Sequence, residues 1–357
     1  MRSKAKGSDA ELPATIVIIS AMPTEGAQES PNRNRRSLRQ VMKGFRQVAP
    51  PILQDLPDFG VYIALRLVSM ALHCFPVDVN LQTAKLIGTI LHRLDRRHRE
   101  RAMGNLRRAF PDMSERQRDE IACRSMQALV MLGVEVLFTT RLIRLDTWAR
   151  YCELENFHDT LGLLLKRNQG IIMLTGHYGN WEILGYVLAT IGFETVSIAR
   201  PLDNRFVNKW VMEVREKQGQ RIIAKTGATA EVTETLDQHG VVGFIADQNA
   251  GSKGIFVDFF GRLASTYKSI GLLAMQYEVP VVIGYARRIQ DRFHFKIGVQ
   301  DVIYPADWKE QDNPLLYITQ RYTKAIEDSV RADPGQYLWT HRRWKTRPKG
   351  EAPQPYD

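Results

Sequence analysis

From residue 170 onward, apolar and polar positions follow two alternating rhythms. Short unbroken apolar runs, Ile171 to Leu174, Thr195 to Ala199 and Val241 to Ala246, have the length of buried strands. A weaker run covers Arg221 to Ala224. Between them lie segments with helical apolar spacing, from Trp181 onward, Asn204 to Gly219 and Ala228 to His239. Strands separated by helices predict an α/β fold with a largely parallel central sheet flanked by helices. Further on, Ser265 is expected to cap a helix reaching Tyr277, Pro280 to Ala286 reads as a strand, and Arg292 to Val299 as its antiparallel neighbour. Pro314 to Arg331 carries Ile318, Tyr322, Ile326 and Val330 on one helical stripe.

The N-terminal part differs. Phe59 to Phe75 is an apolar helix candidate bounded by Pro57 and Pro76 and interrupted by Arg66. A spanning helix needs about 20 apolar residues, so an interfacial helix is expected, its apolar face in the bilayer and Arg66 reaching the headgroups. A second helix covers Leu81 to Leu94 and leads into the basic run Arg93, Arg96, Arg97, Arg99, Arg101, Arg107 and Arg108, either a solvated face or a contact for anionic lipid. Ser114 and Gln117 form a capping-box pattern opening a core helix to about Thr140. Residues 1–50 read as a basic flexible tail, with a later translation start at Met42 as an alternative. The expected organisation is therefore tail 1–50, an N-terminal helical membrane-associating region 51–110, an α/β domain 111–349 and a tail 350–357.

With 357 residues, 44% of them hydrophobic, the chain can bury a sizeable core. The formal charge of +10 predicts an anionic partner: nucleic acid, phospholipid headgroups, a phosphorylated glycolipid or an acidic carrier protein. Cys74, Cys123 and Cys152 are few and lack C-x-x-C spacing, which argues against a disulfide framework and fits a reducing compartment. Nucleic acid is not expected, because no helix-turn-helix, RNP or zinc-finger signature is present.

The densest chemistry lies in GIIMLTGHYGNWEILG, residues 170–185. His177 and Glu182 are five positions apart and cannot share a helix face. With His177 in the loop before the helix, and Gly176 and Gly179 permitting an unusual backbone, the ring can fold back toward Glu182 as a general-base dyad. No Gly-x-Ser-x-Gly elbow and no H-E-x-x-H pair occurs, so the nucleophile is expected from the substrate, with no metal and no bound cofactor. His177, Arg200 and Asp247 each follow a strand-like run, the position where ligand sites gather in such sheets. Arg200 suits a phosphate or carboxylate, and Asp247 with Gln248 suits acceptor hydroxyls or bracing of the Arg200 loop. Asn180, and Arg262 beside the aromatic stretch Phe256 to Phe260, complete the substrate-binding candidates. The ending interleaves Trp339, His341, Arg342, Arg343, Trp344, Lys345 and Arg347.

GHYGNWE, followed by ARPLDN at 199–204, ADQN at 246–249, FVDFFGRLA at 256–264 and YLWTHRRWKTRP at 337–348, resembles the lipid A biosynthesis (lauroyl and myristoyl) acyltransferase family. RAMGNLRRAFPDMS at 101–114 resembles its N-terminal half. The resemblance implies transfer of a fatty acyl chain from acyl carrier protein, or from acyl-CoA, to a glycolipid acceptor at the cytoplasmic face of the inner membrane. It also implies a site role for the C-terminal segment. Asn249 stands where many members carry an acidic residue. A related branch acylates mannosylated phosphatidylinositol, so acylation of another lipid stays open, as does a non-catalytic basic binding protein.

Overall fold

The computed structural model describes residues 55–199, 201–217, 219–224 and 227–351. The expected basic tail 1–50, the alternative start at Met42, Arg200 and residues 352–357 lie outside the described residues.

Four helices come first: α1 (Leu56–Leu72), α2 (Val77–Leu94), α3 (Arg96–Ala109) and α4 (Glu115–Leu142). The one-turn α5 (Trp148–Tyr151), strand β1 (Cys152–Glu155) and α6 (His158–Lys166) lead into the alternating part. That part runs β2 (Ile171–Thr175), α7 (Trp181–Thr190), β3 (Thr195–Ala199), α8 (Arg205–Glu216), β4 (Gln220–Ala224), α9 (Ala228–Asp237) and β5 (Val241–Ile245). The hairpin β6 (Ile255–Phe259) and β7 (Arg262–Thr266) follows, then α10 (Ser269–Tyr277), β8 (Val281–Arg288), β9 (Phe295–Ile303), α11 (Pro305–Trp308) and α12 (Pro314–Ala332).

The main sheet has seven strands in the order β1-β9-β8-β2-β5-β3-β4, parallel throughout except for β8 against β9. β2 is buried along its whole length, as expected for a strand covered on both faces. Ile172 and Leu174 face the core shared with α9, α10 and α12; Ile171 and Met173 face the core shared with α4 and α7.

One expectation is corrected, and one strand was not anticipated. Ser265 does not cap a helix: it lies in β7, where its hydroxyl donates to Gly251 O at 2.6 Å, because Gly261 in the left-handed region at φ +74° turns the chain into a hairpin. β1, with the sequence CELE, carries no apolar run and is held as an edge strand by parallel pairing with β9. The capping box at Ser114 and Gln117 is present at the start of α4. By length and composition α4 is the one helix among the described residues that could cross a membrane. It packs instead along α2 and α3 and carries buried Arg118 and Glu135.

α1 touches the rest of the protein mainly through α8. Phe59 meets Phe206 edge-on at 5.3 Å, and the Arg66 guanidinium lies 5.3 Å from the Trp210 ring centre. Most apolar side chains of α1, with Leu86, Ile87, Ile90, Leu91 and Leu94 of α2, are exposed.

Candidate active site

The site starts from register. Thr175 pairs with Ile245 across the parallel β2–β5 ladder, so residues two positions beyond each strand leave the sheet side by side. They are His177 and Asp247. The Asp247 carboxylate accepts twice from one residue, from the His177 backbone N–H at Oδ2 (2.8 Å) and from Nδ1 at Oδ1 (2.7 Å). Both side chains are buried. Burial alone would raise the Asp247 carboxyl, but the charge and hydrogen bonds of His177 outweigh it and hold the group well below the usual carboxylate range. An ionised carboxylate can only accept, so Nδ1 carries the proton and Nε2 is left as the basic nitrogen.

The pairing expected from the spacing, His177 with Glu182, is not formed. Glu182 lies in the first turn of α7 and takes a two-pronged ion pair from Arg215 of α8, Nε to Oε2 at 2.7 Å and Nη2 to Oε1 at 2.6 Å. The physical reason is direction. The His177 ring turns toward the end of β5, while the first turn of α7 aims Glu182 at α8. The loop between is pinned: Gly179 sits at φ +61°, and a Cβ there would come within 2.1 Å of Ala286 O. Gly179 N donates to Gln336 O and Asn180 N to Ala286 O.

Gln248 stands over the basic nitrogen, its Nε2 3.4 Å from His177 Nε2 and 3.5 Å from His341 Nε2. The rings of His177 and His341 are 4.5 Å apart, and Trp181 meets His177 edge-on at 4.9 Å. Burial first, and then the neighbouring His177, push His341 down to about 3, so it is neutral. The C-terminal segment thus folds over the site: Leu338 N donates to His177 O, and Asn105 of α3 grips Trp339 O and His341 O. Arg343 is buried beneath it, donating to Gln248 O, Ser265 O and Thr266 Oγ1.

Two other candidates lie elsewhere. Asn180 is wholly buried and caps α7, accepting from Ile183 N while donating to Glu135 Oε2 at 2.7 Å. Arg262 sits at the turn end of β7, whereas Thr266 at the other end meets Arg343; the two are four positions apart along the strand, about 13 Å. Sequence reasoning missed Glu135 and Arg288, a buried ion pair that supports Asn180 from behind. Only a buried acid inside the apolar stripe of α4 hints at it.

From Thr175 and Trp181 a slot of about 80 Å³ runs beneath α7, walled by Leu184, Gly185 and Leu188 on one side and Ser197, Gln220 and Gly243 on the other. Glu182 and Arg215 also line it. Among the described residues no cluster of His, Cys, Asp and Glu is arranged to hold a metal ion.

The fold and site define an α/β protein with a carboxylate-oriented histidine at the carboxyl ends of two adjacent parallel strands, beside a narrow, largely apolar slot. Residues 54–346 match the family described as bacterial lipid A biosynthesis acyltransferase, and the chain belongs to that family of acyltransferases. Similar proteins include a lipid A biosynthesis acyltransferase of Haemophilus influenzae, 24% identical over 80% of this chain and 90% of that one. The lipid A biosynthesis myristoyltransferase of Escherichia coli K12 is 26% identical over 76% of this chain and 82% of its own. The palmitoleoyltransferase of the same strain is 24% identical over 74% and 85%.

Proposed function

We propose that this protein moves a fatty acyl chain from an acyl thioester on acyl carrier protein to a hydroxyl of a lipid A precursor or related glycolipid, at the cytoplasmic face of the inner membrane. The observation that carries the reading is His177, with Nδ1 tied to Asp247 and its ring against Trp181, which lines a slot beneath α7.

His177 Nε2 removes the proton of the acceptor hydroxyl. The oxygen attacks the thioester carbonyl, and as the intermediate collapses the carbon–sulfur bond breaks and the thiol leaves with the proton from His177. Asp247 keeps the tautomer and stabilises the imidazolium as it forms. The Gln248 amide, 3.4 Å from Nε2, is placed to donate to the acceptor or to the developing oxyanion. General-base action of this kind is worth about 10²- to 10⁴-fold, so positioning of both substrates supplies much of the rest. The net charge of +10 suits an acidic carrier and a phosphorylated acceptor, and the exposed apolar side chains of α1 and α2 suit a bilayer surface. Arg200 remains a candidate for an acceptor phosphate.

The test is transfer of a labelled acyl group from acyl carrier protein to a panel of lipid acceptors, by the intact protein, His177→Ala and Asp247→Ala. Transfer to a lipid A precursor, lost in both variants, is expected. Transfer only to another lipid would move the pathway, and activity surviving in His177→Ala would remove the mechanism.

A further inference from the structure

The C-terminal segment brings a second imidazole, His341, to within 4.5 Å of His177, although one base is enough to move the proton of an acceptor hydroxyl. Its part follows from counting hydrogens. Gln248 Nε2 lies 3.4 Å from His177 Nε2 and 3.5 Å from His341 Nε2, so one amide nitrogen faces two ring nitrogens. Ionised Asp247 keeps the His177 proton on Nδ1, and Nε2 can then only accept. Gln248 must therefore turn its NH₂ toward that nitrogen and not its carbonyl. The NH₂ group carries a second hydrogen, which is left for His341 Nε2. A neutral His341 with its proton on Nδ1 accepts it, and burial together with the neighbouring His177 keeps the ring neutral.

Both residues are gripped through their main chains. Asn105 of α3 donates to His341 O at 2.7 Å and to Trp339 O at 2.8 Å. Buried Arg343 donates to Gln248 O at 3.2 Å, and the next residue, Asn249, exchanges two hydrogen bonds with Thr346. What can still move is the carboxamide, and contacts of 3.4 and 3.5 Å are long enough to yield to an incoming oxygen. An acceptor hydroxyl that donates to His177 Nε2 displaces one amide hydrogen from it. The other hydrogen keeps the amide on His341, so the displaced one stays beside the oxygen being acylated, where the tetrahedral oxyanion forms. Without that anchor the amide turns about its last, soft torsion and aims the hydrogen elsewhere. A proton relay from His177 to His341 through this nitrogen is closed, because an amide nitrogen donates and does not accept.

Resting on the acyl-transfer reading above, we propose that His341 is a positioning residue, which anchors the Gln248 carboxamide so that the hydrogen displaced from His177 Nε2 is presented to the oxyanion.

The experiment uses the full chain and labelled acyl transfer from acyl carrier protein to the best acceptor of the panel above. It compares the intact protein with His341→Leu, His341→Gln, Gln248→Leu and the double variant His341→Leu with Gln248→Leu. Loss of an oxyanion donor costs about 10²- to 10³-fold in kcat, and both single leucine variants are expected in that range with KM little changed. The double variant should be no slower than either, since the anchor has nothing left to hold. His341→Gln places a carbonyl oxygen near the position of Nε2 and should recover most of the rate. Losses that multiply in the double variant would overturn the anchor, as would a His341→Gln protein as slow as His341→Leu, because both are marks of a residue that only supports the segment. If His341→Leu does not fold, His341→Asn takes its place; its oxygen stops short of the amide, and a rate equal to that of His341→Gln overturns the anchor. ¹⁵N resonances of the imidazoles need no turnover: Gln248→Leu should move Nε2 of both His177 and His341, and a His341 resonance that stays in place overturns the anchor. Absence of transfer by the intact protein, with the paired shift retained, would count against the acyl-transfer reading alone.

Discussion

Asp247 holds His177 at two points, the backbone amide and Nδ1, so one carboxylate fixes both where the residue sits and which way its ring faces. Replacing it by asparagine offers an amide that cannot accept both hydrogens while keeping its own NH₂ satisfied. Asp247→Asn should therefore turn the imidazole toward the other tautomer and lower kcat by about 10²- to 10⁴-fold. Labelled acyl transfer reads the rate, and ¹⁵N resonances of the imidazole read the tautomer. A wild-type rate with the tautomer changed would separate Asp247 from the chemistry.

Behind the loop, Glu135 takes Arg288 with both oxygens and Asn180 with one, linking α4, β8 and the cap of α7 in a fully buried network. Removing one charge leaves the other stranded in a dry interior. Glu135→Gln is expected to cost about 3–5 kcal/mol of unfolding free energy, with Glu135→Leu plus Arg288→Met recovering most of it. Denaturant titration of the three proteins measures both effects.

Stability should rise with pH through the acid range. Folded His341 is pushed down to about 3 from an ordinary value near 6.5, so between those limits the unfolded chain binds a proton that the folded chain does not. Stability is then complete above about pH 6.5 and is lost progressively toward pH 3, by on the order of a few kcal/mol since the half-buried ring keeps some solvent. The Asp247 carboxyl, held low in the fold, adds a loss of the same sign below about pH 4. Urea midpoints at pH 7 and pH 4.5 isolate the histidine, and His341→Gln should flatten the difference.

The parallel sheet was legible because strands buried on both faces spell themselves as apolar runs, and the rim was legible because β2 and β5 end just before His177 and Asp247. What the linear spacing concealed was the partner of His177. Glu182 is five residues away in sequence and Asp247 is 70 away, but the parallel register makes the distant residue the neighbour. Glu135 and Arg288 left no local signature, since Glu135 is a lone charge within an apolar stretch and Arg288 one of two adjacent arginines at the end of a strand, their pairing meaningful only once α4 meets β8. The hairpin β6–β7 was not seen: Phe256 to Phe260 stood out only as an aromatic stretch, while Ser265 imitated a helix cap. The C-terminal segment showed aromatic and basic alternation, yet nothing in its order announced that Arg343 would be buried and His341 set 4.5 Å from His177.

α2 presents Leu86, Ile87, Ile90, Leu91 and Leu94 to the outside on successive turns, and the exposed apolar residues of α1 precede them. Arg93, Arg96 and Arg97 follow at the junction with α3. Apolar residues beside a basic cluster suit an anionic bilayer, where the side chains sink below the headgroups and the guanidinium groups stay at them. Changing Leu86 and Ile90 to serine removes apolar contact from the lipid without touching the core, and each change is worth about 1 kcal/mol of membrane affinity. Partitioning onto sedimented phosphatidylglycerol vesicles should therefore fall about tenfold or more for the double variant. The arginines predict a further loss as salt is raised, because their attraction to the surface is screened. Equal partitioning of the double variant and the intact protein would mean that this face meets something other than a bilayer.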